Sequence, residues 1–265
     1  MKFAVIPLAS VLFFTGCSTP DSQNITPAIT ATPPAGRIRG IVRFTGKPPA
    51  PATEPVTENQ AVCGKSVSLP RLALGKNAGV RHAFLYLEGA PAPKSASPAT
   101  SVLIDQKDCQ YLPHAVVVPA GTKLEITNSD PILHNVHGMV TAQQGARTLF
   151  NVAQPAQGQR TLVEPALTEP GIVALSCEAG HPWMSAYVYV ADNPFAVTTN
   201  DDGEFVIPNV PAGTYRLKAW HEGIRLKRNI KTLQRYEYEE PYEITKEVVV
   251  PADGEMVVDF ELSLR

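Results

Sequence analysis

From residue 36 onward the chain is a succession of short runs in which apolar and polar residues alternate, each closed by a turn signal. Residues 36–44 (GRIRGIVRF) alternate and stop at TGKPP. Residues 82–87, 101–105, 115–119, 123–127, 162–164, 171–176 and 186–190 follow as further short apolar or alternating runs, and 123–127 (KLEIT) alternates strictly before Asn128-Ser129-Asp130. A period of two marks a strand with one buried face, and no stretch offers a helical period of useful length. Short strands at regular spacing predict an all-β fold built of sandwiches. The 25 prolines and 18 glycines suit that reading, because they make turns and break helices. At a net charge of −2 the chain has no basic field for nucleic acid and no acidic field for a polycation.

The N-terminus reads differently. Met1-Lys2 precedes an apolar run over 3–14 that is too short to span a bilayer, and the run ends in Phe14-Thr15-Gly16-Cys17. Residues 1–16 therefore read as an export signal peptide. The Gly16-Cys17 ending resembles the bacterial lipoprotein signal, with Phe14 where Leu is usual. That resemblance implies lipidation of Cys17 and an exported chain anchored to a membrane by acyl chains, at the periplasmic face or on the outer membrane or cell surface. Ser18, by resemblance to lipoprotein sorting rules, points to the outer membrane. Residues 17–35, rich in Ser, Thr, Pro and Ala, read as a flexible tether.

Four cysteines are present: Cys17, Cys63, Cys109 and Cys177. If Cys17 is acylated, three remain, and exported thiols tend to oxidise in pairs. Cys63 and Cys109 can pair, which leaves Cys177 alone. A lone thiol outside the cytoplasm survives when burial or a metal protects it.

Two segments carry candidate chemistry. ITNSDPILHNVHG places His134 just past a strand and a tight turn. SCEAGHPWM places Cys177, His181 and Met184 on one loop between two strands. Two imidazoles and a thiolate in a plane, with a thioether as a weak fourth ligand, are a soft set that suits copper cycling between Cu(I) and Cu(II). Zinc accepts two His and one Cys but gains little from a thioether. His137, three residues past His134, either faces the same metal as an extra contact or points outward. His82, His114 and His221 read as structural residues in or near strands. Trp183 either shields the metal or simply packs. Met139, close to His137, suggests a secondary copper-loading patch. Lys227-Arg228 followed by the acidic, Tyr-rich run 235–243 reads as a solvated loop or long hairpin, or as a docking surface.

Over roughly residues 102–192 the sequence resembles the cupredoxins, the blue-copper fold of plastocyanin, azurin and pseudoazurin. The resemblance rests on Asp130…His134-Asn135-Val136 and on Cys177, His181 and Met184, with three residues between Cys and His and two between His and Met. It implies a Greek-key β-sandwich and one copper ion held by His134, Cys177, His181 and Met184. It implies further that Asn135 ties the two ligand loops together. The binuclear copper centre of cytochrome oxidase needs a second Cys in this loop, where Glu178, Ala179 and Gly180 stand. At the C-terminus, TTNDDGEFVI followed by VPAGTYRL resembles the carboxypeptidase regulatory-like, prealbumin-like β-sandwich, a non-catalytic module. The opening GRIRGIVRFTGKPP also resembles that module's first strand.

The expected organisation is signal 1–16, tether 17–35, an N-terminal β segment 36–100 packing on the sandwich domains, a copper domain 101–192 and a small sandwich 193–265. Whether the copper domain is inserted in the small sandwich or flanks it stays open at this level. The expected function is single-electron transfer, with a redox partner such as a c-type cytochrome or an oxidase. The rivals are a Cu(I) storage or delivery protein and a metal-braced interaction module. No enzyme is expected, since no nucleophile elbow, paired carboxylates or second metal set stands out.

Overall fold

The computed structural model describes residues 35–69, 71–91, 101–142, 145–230 and 235–265. The expected signal peptide, Cys17 and all of the tether except Ala35 lie outside the described residues. Residues Pro33–Arg265 cluster as one compact unit.

The elements run β1 (Ala35–Phe44), β2 (Ala52–Pro55), the short helix α1 (Gln60–Cys63), β3 (Ser66–Leu69), β4 (Phe84–Glu88), β5 (Ser101–Lys107), β6 (Gln110–Leu112) and β7 (Ala115–Pro119). Then come β8 (Lys123–Asn128), β9 (His134–Ala142), β10 (Gly145–Gln154), β11 (Arg160–Leu162), β12 (Gly171–Ser176), β13 (Ser185–Ala191) and β14 (Ala196–Thr198). The last are β15 (Glu204–Pro211), β16 (Gly213–His221), β17 (Leu226–Ile230), β18 (Arg235–Tyr238), β19 (Tyr242–Val250), β20 (Glu255–Val257) and β21 (Phe260–Leu262). The all-β architecture expected from the turn spacing is what forms, as two β-sandwiches.

The first sandwich faces a five-stranded sheet, β10-β9-β12-β13-β7, with a four-stranded one, β11-β8-β5-β6. Alternation does the sorting. In β8 Leu124, Ile126 and Asn128 point inward while Lys123, Glu125 and Thr127 are partly solvated. Across the gap Val173 and Leu175 of β12 meet Ala186, Val188 and Val190 of β13, and this core also holds Cys177 and Met184. The β13–β7 and β5–β8 pairs are parallel, so the chain crosses between the sheets instead of folding as simple hairpins.

The second sandwich faces β14-β4-β16-β19 with β15-β1-β20, where β21 continues the pairing along β1. Its core takes Ile38, Val42 and Phe44 from β1, Leu85 and Leu87 from β4, and Phe205, Ile207, Leu217, Val248 and Phe260 from residues beyond 200. Here the organisation differs from the expected layering. Residues 36–100 are not a separate layer, because β1 is the central strand of one sheet and β4 lies inside the other. Residues 193–265 therefore complete their sandwich only with strands from the N-terminal side, and 101–191 are inserted between them. The reason is that alternation specifies a strand's faces and leaves its partner unspecified.

The two sandwiches meet through Phe84 and Trp220 on one side and Ala115, Tyr189 and Ala191 on the other. Beside this junction Arg71 forms a buried ion pair with Glu222. It also bonds the Tyr187 hydroxyl and the Gly223 carbonyl and stacks 3.7 Å above the Tyr238 ring of the β17–β18 hairpin. Burial alone would push the Glu222 carboxyl up, but Arg71, His114 and His221 outweigh it and hold it at about 2.

Candidate metal centre

His134 opens β9, directly after the turn at Asn128-Ser129-Asp130. The turn is built from its own side chains: Asn128 Oδ1 accepts the Asp130 amide at 3.0 Å and Asn128 Nδ2 donates to the Ile132 carbonyl at 2.8 Å. Cys177 follows the last residue of β12, and Met184 precedes the first residue of β13. These two strands pair from Gly171–Val190 to Ser176–Ser185, so the loop 177–184 is clamped at both ends. Ser176 also pairs with His137 of β9, which brings the His134 turn beside that loop.

The structure brings together His134, Cys177 and His181, with one donor atom from each within 4.8 Å of the others and all three residues buried. His134 Nδ1 and His181 Nδ1 are 3.1 Å apart, and Cys177 Sγ is 3.8 Å from His181 Nδ1. With metal–nitrogen bonds of about 2.0–2.1 Å and a metal–sulfur bond of about 2.3 Å, the zinc values, a shared ion spaces its nitrogens about 3.1–3.5 Å apart and its sulfur and nitrogen about 3.8 Å apart. The donor set fits one metal ion. Met184 is 1 % exposed in the same core. Cys109, Asp130 and His134 also converge, but Cys109 is consumed by a disulfide to Cys63, with 5.4 Å between their Cα atoms.

Around these donors the polar groups are committed. His134 Nε2 donates to Asp130 Oδ2 at 2.9 Å, which leaves the Nδ1 lone pair directed at the cluster. Asp130 is itself fixed by the amides of Asp108 and Cys109, each at 2.9 Å. Asn135 bridges two segments. Its Oδ1 accepts the Glu178 amide at 2.6 Å and its Nδ2 donates to Asn151 Oδ1 at 2.8 Å, tying the β9 start to the Cys177 loop. The Tyr111 hydroxyl donates to the Asn135 carbonyl. Trp183 packs edge-on to His181, ring centroids 5.4 Å apart, and its Nε1 donates to the Cys109 carbonyl at 3.1 Å.

The electrostatics favour uncharged donors while no ion is bound. Burial pushes the Cys177 thiol up, opposed by backbone groups of Asn135, Ala179 and His181 and by the Tyr111 hydroxyl. Burial lowers His134 against the pull of Asp130, and burial together with His134 takes His181 down to about 4. Neutral imidazoles are the form that binds metal, so at neutral pH a metal displaces a proton from the thiol alone.

His137 stands apart from the cluster. Its Nδ1 meets Glu178 Oε1 and its Nε2 meets Thr148 Oγ1, both at 2.8 Å. His114 bonds Glu222, and His221 is buried against the Glu222 carbonyl. Asp130 entered the sequence reading as part of a turn and of the motif that carries the cupredoxin resemblance, with no role assigned to it. One residue of the surroundings carried no signal at all. Asn59, whose Nδ2 sits 3.1 Å from His181 Nε2, lies 122 positions upstream of that ring.

Comparison with known proteins gives fragmentary matches. The family described as polysaccharide lyase family 4, domain II, matches residues 171–232, a stretch that begins at β12 of the first sandwich and runs beyond β17. No curated protein matches. Among solved structures, a Cu-containing nitrite reductase (NirK) from Thermus scotoductus SA-01 aligns over 38 % of this chain at 23 % identity and a TM-score of 0.30, and the match spans 24 % of that protein. A purple cupredoxin from Nitrosopumilus maritimus aligns over 35 % of this chain and 100 % of its own, at 24 % identity and a TM-score of 0.29. A reduced mutant of amicyanin aligns over 40 % of this chain and 98 % of its own, at 20 % identity and a TM-score of 0.27.

Proposed function

We propose that this chain is a membrane-anchored protein that binds one copper ion through His134, Cys177 and His181, with Met184 as the weak fourth ligand, and carries single electrons. The observation that supports it most is the convergence of two imidazole nitrogens and one thiol sulfur, 3.1 and 3.8 Å apart, in a buried cluster. Copper bound there would supply one-electron exchange between Cu(I) and Cu(II). The chain's own residues do the rest. Asp130 holds the His134 ring so that Nδ1 faces the cluster. Asn135 fixes the loop that carries Cys177 to the strand that carries His134. The two paired strands beneath keep the donors in place whichever charge the site holds, so little rearrangement accompanies electron transfer.

The cupredoxin resemblance of residues 101–192 and the carboxypeptidase regulatory-like resemblance of 193–265 belong to this reading. So do the lipid anchor at Cys17, export to the periplasmic face or outer membrane, and a redox partner such as a c-type cytochrome or an oxidase. Storage or delivery of Cu(I) is the second reading. It needs ligands that an acceptor can reach, whereas His134 and His181 are fully buried. Voltammetry of the copper-loaded chain separates the two. A reversible one-electron wave supports the carrier. No wave, with Cu(I) passed rapidly to a chelator, supports delivery and refutes the carrier.

A further inference from the structure

The ring edge of His181 is closed by a distant piece of the same chain. His181 is 0 % exposed, although it sits on a surface loop. Its Nε2 edge meets Asn59 of the segment from Val56 to Lys65, a closed loop whose ends meet through the Val56 amide and the Lys65 carbonyl at 3.0 Å. Asn59 sits at its tip. Its backbone adopts φ 57°, a left-handed conformation that Asn tolerates better than most residues, and its carbonyl accepts the amides of Val62 and Cys63 at 2.9 Å each. That carbonyl thus starts the helical turn that delivers Cys63 to Cys109. The Asn59 side chain reaches inward to His181 Nε2 at 3.1 Å. Glu58 lies over Gly180, so close that a Cβ there would stand 2.7 Å from its Oε2. On the far side of the bridge, Cys109 takes the Trp183 indole on its carbonyl and gives its amide to Asp130, the residue that orients His134. One disulfide therefore joins the covering loop to the surroundings of both imidazoles.

We propose that residues 56–65 form a door over the metal-binding cluster, with Asn59 as the positioning residue for His181 and the Cys63–Cys109 bridge as its latch. This rests on the metal-binding reading for its purpose but not for its geometry. The door makes a specific demand on Asn59. A metal on Nδ1 leaves the His181 proton on Nε2, so the ring must donate outward, and the Asn59 amide must turn to present Oδ1 instead of Nδ2. Asn59 serves both states because its amide carries a donor and an acceptor. Passage of a metal through this face requires the loop to lift. A dithiol reductant frees the latch by thiol–disulfide exchange: it delivers two electrons and two protons to the Cys63–Cys109 bond, leaves two thiols there and becomes a disulfide itself.

The test needs no metal. Among the described residues Cys177 is the free thiol and it is 3 % exposed, so its alkylation rate reports how often the cover opens. The full chain carrying Cys17→Ser is treated with a bulky maleimide in the metal-free state, alongside Asn59→Ala and the double variant Cys63→Ser/Cys109→Ser. Asn59→Ala should alkylate about three- to tenfold faster, the effect of one lost hydrogen bond on an opening equilibrium, while the same loss lowers its melting temperature by only about 2–5 °C. The double variant should react faster still. Release of Cu(I) to a chromogenic chelator should quicken in the same order. The competing route is the groove of about 640 Å³ that Cys177, Met184, Tyr187 and Trp220 help to line on the side towards the second sandwich. Alkylation within about twofold of the parent in both variants would mean that traffic uses that groove, and the door would be wrong. If the parent binds no copper, the metal reading fails while the alkylation series still decides the door.

Discussion

The Asp130 carboxylate offers the sharpest perturbation of the site, because it touches the proposed ligand His134 and would not touch the metal. It is 4 % exposed and accepts three N–H groups, from Asp108, Cys109 and His134, each at 2.9 Å. In Asp130→Asn the single amide oxygen best takes the Oδ2 place, where it keeps Cys109 and His134. The Asp108 amide then faces an NH2 group, but Asp108 is exposed and water can serve it. Shape and register survive, and the charge is lost. Losing charge assistance on buried hydrogen bonds should lower stability by about 1–3 kcal/mol. Losing the carboxylate behind the proposed ligand imidazole should weaken metal binding about 10–100-fold, or about 1.4–2.8 kcal/mol. Competition for copper against a chelator of known affinity measures the second effect, and urea unfolding of the metal-free chain measures the first. Glu169→Gln, which removes an exposed partner of Arg147, is the control and should change neither. An Asp130→Asn protein that folds and binds copper within about twofold of the parent would refute the assignment of Asp130 to the ligand environment.

Other outcomes follow from the same structure. Arg71→Met leaves the Glu222 carboxylate, which is 3 % exposed, with His114 as its remaining ion-pair partner and should cost about 3–5 kcal/mol in urea unfolding, with much of it recovered in Arg71→Met/Glu222→Gln. His82, lowered to about 4 by burial and then by His114, and His221, lowered by burial, resist protonation in the folded chain. Their contribution is complete above the ordinary His value of 6.5 and is lost as pH falls below it, for His82 down to about 4, so the melting temperature of the metal-free chain should drop on acidification from neutral pH. Glu222, held at about 2, gives up its contribution only below its ordinary 4.5. A melting temperature that rises on acidification from pH 7 to 5 would contradict this sign. His137→Ala should keep the copper spectrum, since that ring is engaged by Glu178 and Thr148; loss of the spectrum would make it a ligand.

How much of this could be read from the sequence depended on how local each feature is. The strands were legible because a half-buried strand writes its period into consecutive residues, as in KLEIT. The convergence of His134, Cys177 and His181 was legible because Cys177 and His181 share one short loop and His134 follows a turn built from Asn and Asp. The Cys63–Cys109 bridge followed from parity, once Cys17 was read as a lipidation site and Cys177 as isolated. Partners far apart in the chain were not legible. β1 pairs with β15, β20 and β21, all more than 150 residues away; the resemblance of GRIRGIVRFTGKPP to the first strand of the C-terminal module pointed towards that sandwich, but its alternation names no partner strand. Asn59 looked like one polar residue in a Pro-rich crossing, and its role depends on a disulfide and a left-handed backbone that bring it over His181. Nothing local to Glu222 or Arg71 marks them as a pair, because burial of an ion pair is a property of the junction between the two sandwiches.

The most direct test of the central claim is the visible absorption of the chain with Cys17 replaced, after addition of Cu(II), beside the same protein carrying Cys177→Ser. The account predicts an intense thiolate-to-copper band, saturating at one copper per chain and absent from the Cys177→Ser protein. No band, with neither Cu(II) nor Cu(I) bound, would contradict it and leave the convergence of His134, Cys177 and His181 without a metal to explain it.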